Sequence, residues 1–438
     1  MDIVKAYGSW VQKLSAGGHP IAARRLLALG WRAQGLRYRV AGDRRLLPAD
    51  RFLAAFMMRA MIRPLADPNN SAIVSIFTPC ELVQEAGLNP YNVEGFSSYL
   101  SGSQAERLFM QTAEDAGLSE TLCSFHKAFL GAAVSGVLPA PRCIVYTSLA
   151  CDANLVTFRW LADFYQVPLY AIDVPLRNTD ADIFYLADQL REVASFLESH
   201  TGRRIDEAAL RTRLERSRAT LADYDAFQRI RARKAVATDL VTPLYAGMTN
   251  NVLLGTEDER RYAAMLVRDA QAAAPMDPDQ VSIYWMHTIP FWSESVQNAL
   301  AFNDRARIVG CELGQSFPID FDPSDPYRAM AWRLANHALN GDASRRIAYG
   351  IQHAREAGAD GAVWFCHWGC KHTLGAAQLA KRAFEDAGLP LLVLDGDSID
   401  HAHGGEGQTA TRLGAFLEML EERRAAAPHA AAPTEKAV

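Results

Sequence analysis

Along the first 70 or so residues apolar side chains recur at helical spacing among arginines, as in Ile21-Ala22-Ala23-Arg24-Arg25-Leu26-Leu27-Ala28-Leu29. The turn-forming run Pro68-Asn69-Asn70-Ser71 closes this stretch. The pattern then changes. Short apolar runs at 72–77, 143–147 and 167–174 alternate with helical stretches, one reaching Glu85 and another starting near Asn154. Such alternation predicts a parallel sheet covered by helices. From about 181 to 240 the chain reads as almost wholly helical and highly charged, for instance Leu210-Arg211-Thr212-Arg213-Leu214-Glu215-Arg216, which predicts surface helices joining two lobes. Strand-like runs return at 281–286, 306–312, 361–366 and 390–395, and a last helix covers about 408–426.

The expected architecture is α/β, with a helical N-terminal portion (1–70), a first α/β lobe (71–180), a helical connector (181–275) and a second α/β lobe (276–426). No short-period repeat is evident, but the two lobes are expected to share a topology. Residues 427–438 lack the apolar periodicity that offsets chain entropy and read as a disordered tail.

Composition narrows the function classes. The chain has 438 residues, too many for one ordinary core, and 49% hydrophobic with 22% charged residues is the profile of a globular protein. A net charge of -5 argues against nucleic-acid binding, which calls for a basic face. The start, Met1-Asp2-Ile3-Val4-Lys5, lacks a basic stretch followed by an apolar run, and no apolar segment approaches the ~18 residues of a membrane span. A cytoplasmic protein is expected. Seven scattered cysteines do not describe a disulfide framework, so they read as reduced thiols or metal ligands.

Three of them stand out. Cys123, Cys151 and Cys370 are each predicted to follow a strand at the start of a helix, where unpaired N–H groups and the positive end of the peptide dipole favour thiolate. In α/β folds the crevice at the carboxyl ends of the strands gathers ligands, so the three can converge there. They lie 28 and 219 residues apart, unlike the local Cys pairs of structural zinc sites. An iron-sulfur cluster accepts thiolates from separate elements, and three of them leave one iron of a four-iron cubane open. Cys143, Cys311 and Cys366 read as core residues, whereas Cys80, at a predicted helix start in Thr78-Pro79-Cys80-Glu81, has the placement of a further ligand.

With these segments assembled, the chain resembles the 2-hydroxyacyl-CoA dehydratase and benzoyl-CoA reductase family from about residue 71 to 425. The resemblance rests on Thr78-Pro79-Cys80-Glu81-Leu82 with Ala86-Gly87-Leu88-Asn89-Pro90, on Cys123-Ser124 with Lys127, and on Thr147-Ser148-Leu149-Ala150-Cys151-Asp152. It continues through Pro168-Leu169-Tyr170-Ala171-Ile172-Asp173-Val174-Pro175, His367-Trp368-Gly369-Cys370-Lys371 and Leu394-Asp395-Gly396-Asp397 to Thr411-Arg412-Leu413-Gly414. It implies two flavodoxin/Rossmann-like lobes with an added helical portion, and a [4Fe-4S] cluster held by Cys123, Cys151 and Cys370; the family does not normally place a cysteine at the position of Cys80, a departure that leaves the fourth iron site open to question, and Cys80 is expected not to be a ligand. It also implies a partner subunit of similar fold, or a second copy of this chain, and a separate ATP-hydrolysing iron-sulfur activator. The chain itself contains no Gly-x-x-x-x-Gly-Lys-[Ser/Thr] phosphate loop.

In the dehydratases of this family one electron converts a thioester carbonyl to a ketyl radical anion that expels the neighbouring hydroxyl. Such chemistry needs an acid/base group near the α-hydroxyl and β-carbon, and Glu81 is the expected candidate. His126 and His367 flank cluster cysteines and are placed to donate hydrogen bonds to sulfur. Asp152 and Lys371 are expected either to support the neighbouring cysteine ligands or to be exposed, Asp395 and Asp397 in a turn, and His287 and Trp292 in the pocket wall. The main expectation is the iron-sulfur subunit of a 2-hydroxyacyl-CoA dehydratase. The alternatives are a benzoyl-CoA reductase-type subunit, a noncatalytic electron-relay subunit with fully ligated iron, and a thiol-redox or zinc protein.

Overall fold

A computed structural model describes residues 3–315, 318–403 and 405–426; the expected disordered tail lies outside them. Three long helices, Ile3–Ala16, Pro20–Ala41 and Pro48–Ala66, precede the first strand. Their apolar faces pack together through Val11, Leu27, Trp31 and Leu53, with most charged residues outward and Asp50 buried. Two four-stranded sheets follow. The first contains β1 (Ser71–Val74), β2 (Asn89–Asn92), β3 (Cys143–Thr147) and β4 (Leu169–Ile172); the second contains β5 (Val281–Met286), β6 (Ala306–Cys311), β7 (Gly361–His367) and β8 (Leu391–Gly396).

Every pairing is parallel. The sheets share one order, β2-β1-β3-β4 and β6-β5-β7-β8, so the expected likeness between the lobes is present in the strand topology. β1, β3, β5, β6 and β7 are buried along their whole length, which explains why they read as continuous apolar runs. The sequence pattern misses only β2. Its Pro90 reads as a strand breaker, but β2 is the edge strand of its sheet, where a missing N–H is tolerated.

Between the sheets run the helices Asp180–Thr201, Glu207–Arg231, Thr242–Val252 and Glu257–Ala272. Far from being only surface struts, the first two bury a full apolar stripe, including Leu186, Leu190, Leu214 and Phe227. Among the described residues no helix is long and apolar enough to cross a membrane.

The two lobes meet over apolar, polar and backbone contacts. Ser101 Oγ donates to the Ile399 carbonyl at 2.7 Å, and Asn340 Nδ2 donates to the Pro175 carbonyl at 2.9 Å. A close backbone approach between them is at Gly369, just after β7. It adopts φ +79°, and a Cβ there would lie 2.7 Å from both the backbone N and the Cα of Cys123. A side chain is excluded twice, by the left-handed backbone and by the facing chain.

This packing can be tested by substitution. Gly369→Ala should lower the thermal midpoint by the equivalent of about 1–3 kcal/mol or more, whereas Gly414→Ala, on the helix Glu406–Ala426 with nothing within 4 Å of its new Cβ, should be neutral or stabilising. Equal midpoints for the two variants would refute the contact. A second test concerns Asp50 and Glu259, both buried in the interior. Burial pushes both carboxyls up to about 8, with Asp239 adding to the rise at Asp50. A raised carboxyl keeps in the native state a proton that the unfolded chain releases, so its contribution is intact below the ordinary carboxylate range and is lost as pH rises through about 8. Asp50→Asn and Glu259→Gln should therefore gain stability relative to the parent at alkaline pH more than at acidic pH, measured by denaturant midpoints across the range; parallel curves would contradict it.

Candidate functional site

Each sheet reverses its strand order once, between β1 and β3 and between β5 and β7, and the crevice at such a reversal is where α/β sheets collect ligands. Here the two reversals face each other across one cavity. Cys151 caps the helix Asp152–Tyr165 after β3, and Cys370 caps the helix Lys371–Leu374 after β7, as the sequence predicts. Cys123 differs. It caps the helix Ser124–Val134 but is preceded by the helix Glu106–Asp115 and a loop, not by a strand. Its position is set instead by the Gly369 contact.

The backbone is bent sharply around these residues. Ala150, directly before Cys151, has φ +65°, and His287, directly after β5, has φ +76°. Each of these non-glycine left-handed conformations costs about 1–3 kcal/mol, and such strain clusters at functional sites. The surrounding structure enforces it at His287, whose backbone N–H donates to Glu312 Oε2 at 3.0 Å. Glu312 in turn forms a buried two-point ion pair with Arg346, both contacts at 2.6 Å.

Cys123, Cys151 and Cys370 all line this cavity, which encloses about 120 Å³. His126, His287 and His367 line it too. Each thiol has a histidine Nε2 beside it: His367 at 3.3 Å from Cys123, His126 at 3.6 Å from Cys151 and His287 at 3.8 Å from Cys370. The rest of the wall is mainly apolar, with Phe77, Phe125, Met248, Ile289 and Phe291 prominent. Among the described residues no three His, Cys, Asp or Glu side chains close around a single ion.

The electrostatics correct one expectation. Backbone N–H groups at the helix starts do lower the thiol pKa values of Cys123 and Cys151, but burial outweighs them. It pushes the Cys123 thiol well above its ordinary value, with the charges of Cys151 and Cys370 adding to the rise. It pushes Cys151 up to about 12, with Glu94 and Cys370 adding. Without a cation these two are thiols, not thiolates, and metal binding must displace their protons. Burial also holds the histidines neutral: His126 falls to about 4, and His287 and His367 lie below their usual range.

The other expected residues separate into two groups. His287 lines the cavity, but Trp292 lines a different, open groove, where it stacks on His401 at 4.8 Å. Asp397 forms a turn, accepting from the backbone N–H groups of Ile399 and Asp400 at 2.8 Å, and Asp395 pairs with Arg412 at 3.2 Å. Cys80 is fully buried and absent from the cavity wall, and Cys143, Cys311 and Cys366 sit in or at the ends of strands. Glu81 is also absent from the wall. It is buried in an ion pair with Arg333 at 2.6 Å and accepts from Ser217 Oγ at 2.9 Å.

The carboxyl that does line the cavity is Glu94, in the first turn of the helix Val93–Gly102. Burial pushes it up to about 7 against the hydrogen bonds of its own backbone N–H and Asn92. It follows β2 as the cysteines follow β3 and β7, so the same strand-end rule would have found it had Pro90 not concealed β2.

Comparison with known proteins agrees with this geometry. A family model described as 2-hydroxyglutaryl-CoA dehydratase, D-component, matches residues 75–420. The chain is 22% identical to the alpha subunit of the (R)-2-hydroxyisocaproyl-CoA dehydratase of Clostridioides difficile over 86% of this chain and 95% of that protein. It is 22% identical to a subunit of the benzoyl-CoA reductase of Thauera aromatica over 73% of this chain and 81% of that protein. It is 21% identical to the alpha subunit of the lactoyl-CoA dehydratase of Anaerotignum propionicum, over 73% of this chain and 83% of that protein. With the family match spanning most of its length, the chain belongs to the 2-hydroxyglutaryl-CoA dehydratase D-component family.

Proposed function

We propose that this chain is the iron-sulfur subunit of a cytoplasmic radical enzyme acting on a CoA thioester, a 2-hydroxyacyl-CoA dehydratase, with Cys123, Cys151 and Cys370 holding a [4Fe-4S] cluster. The observation that carries it is the meeting of three thiols from remote segments on one largely apolar cavity. Their chemistry fits the group: thiolate is the usual ligand of such clusters. Two of the three relatives are named as dehydratase subunits, which favours elimination of water over ring reduction.

Cys123, Cys151 and Cys370 would hold the cluster, which would supply a low-potential electron for the reaction. The chain's own residues do the rest. The phenylalanine-rich wall excludes bulk water from the reacting acyl group. Glu94, which takes the acid/base role expected of Glu81, moves a proton at its carboxyl oxygen, where a pKa near 7 suits both giving and taking it. Glu81, locked to Arg333, instead ties the start of the helix Cys80–Glu85 to the helix Pro326–Ala335. The names of the relatives, each one subunit of a larger enzyme, support a partner subunit, and the proposal includes a partner of similar fold and a separate ATP-hydrolysing activator, since this chain carries no Gly-x-x-x-x-Gly-Lys-[Ser/Thr] loop.

Iron and sulfide analysis of anaerobically purified protein tests the centre. Cys123→Ser, Cys151→Ser and Cys370→Ser should each lose most of the iron and Cys80→Ser should keep it; iron retained in the first three would end the proposal. With partner and activator supplied, Glu94→Gln should lower kcat for a 2-hydroxyacyl-CoA by roughly 10²–10⁴-fold with little change in KM, and an unchanged kcat would remove Glu94 from the chemistry. A rate with benzoyl-CoA exceeding that with every 2-hydroxyacyl thioester would point to the reductase instead.

A further inference from the structure

Of the three histidines beside the thiols, one has its protonation fixed by the backbone. His367, the last residue of β7, is 1% exposed, and its Nδ1 lies 3.1 Å from the backbone nitrogen of Ser398. A peptide N–H can only donate, so Nδ1 must be the acceptor and carries no proton. The single proton of the ring is therefore on Nε2. That nitrogen faces Sγ of Cys123 at 3.3 Å and Oγ of Ser124 at 3.4 Å. Ser124 gives its own proton to Asp397 Oδ1 at 2.9 Å, which leaves its oxygen, like the sulfur, able to accept.

The arrangement closes on itself. The Asp397 carboxylate that takes the Ser124 proton also binds the N–H groups of Ile399 and Asp400, and so shapes the turn that presents the Ser398 N–H to His367. The other two histidines lack such a lock. Nδ1 of His126 meets Thr157 Oγ1 at 2.8 Å and Nδ1 of His287 meets Thr288 Oγ1 at 3.3 Å, and a hydroxyl can either give or take.

We propose that His367 is a positioning residue held as the Nε2–H tautomer, a permanent N–H donor to the sulfur of Cys123 that raises the reduction potential of the cluster bound there. The potential depends on the three-thiolate reading above; the tautomer does not. An N–H directed at a ligating sulfur stabilises its negative charge and so favours the reduced, more negative cluster. The donor on Cys123 is fixed before any cluster arrives, because β7 and the 397–400 turn set it.

Two measurements decide the matter. In metal-free protein with ¹⁵N-labelled histidine, long-range ¹H–¹⁵N spectra at neutral pH, assigned by the signal lost in His367→Gln, should show His367 protonated at Nε2 only. Protonation at Nδ1 or at both nitrogens would overturn the proposal. In anaerobically reconstituted protein, an EPR-monitored reductive titration of His367→Leu should give a more negative midpoint than the parent, with His367→Gln, which restores an N–H near the same place, moving back toward it. A His367→Leu midpoint equal to the parent's refutes the role in setting potential. Parent protein that takes up no iron refutes the three-thiolate reading and the potential role with it, while the spectra still decide the tautomer.

Discussion

Two backbone segments more than 240 positions apart in sequence cross at Gly369 and Cys123 with no room for a methyl group between them. That contact holds the first lobe's cysteine-bearing loop against the second lobe's strand end. Cys123 has no strand behind it to fix its place, whereas Cys151 and Cys370 do. The glycine is thus a structural requirement of the site although it carries no functional group. Its positive φ also reverses the chain so that Cys370 caps the next helix beside the cavity.

Around this crossing the protein spends stability on geometry. Ala150 and His287 sit in left-handed conformations that their side chains disfavour, and Glu312 with Arg346 forms a desolvated ion pair whose net contribution to folding is small. What that pair does is specify. Its carboxylate holds the His287 backbone in place while its guanidinium lies 4.8 Å over the Trp364 ring and lines the cavity. The same burial that keeps water from the site also keeps Cys123 and Cys151 protonated and the histidines neutral. Those two thiols are therefore uncharged until a metal centre displaces their protons.

The repeated strand order has a functional consequence. Because both sheets reverse at equivalent places, two crevices that would each bind a ligand alone are apposed to make one. Residues at strand ends from both lobes then share a wall that neither sheet could build. Glu94 enters from the edge strand of the first sheet, opposite residues that follow β5 and β7.

Much of this was legible in the sequence: seven of the eight strands announced themselves as apolar runs within a few residues of their true ends, five of them because strands buried along their whole length are apolar throughout. The cysteines and flanking histidines could be singled out because strand ends and helix starts are local features. What the tertiary structure decided is everything that depends on which distant groups meet. Glu81 and Glu94 both occupy first turns of helices, and only packing sends one to Arg333 and the other to the cavity. Likewise the thiol pKa values follow burial, a property of the whole fold, and not the helix start that the sequence displays. Local pattern fixes what each segment becomes; the long-range contacts between segments fix what each side chain can do, because proximity and solvent exclusion exist only in the folded chain.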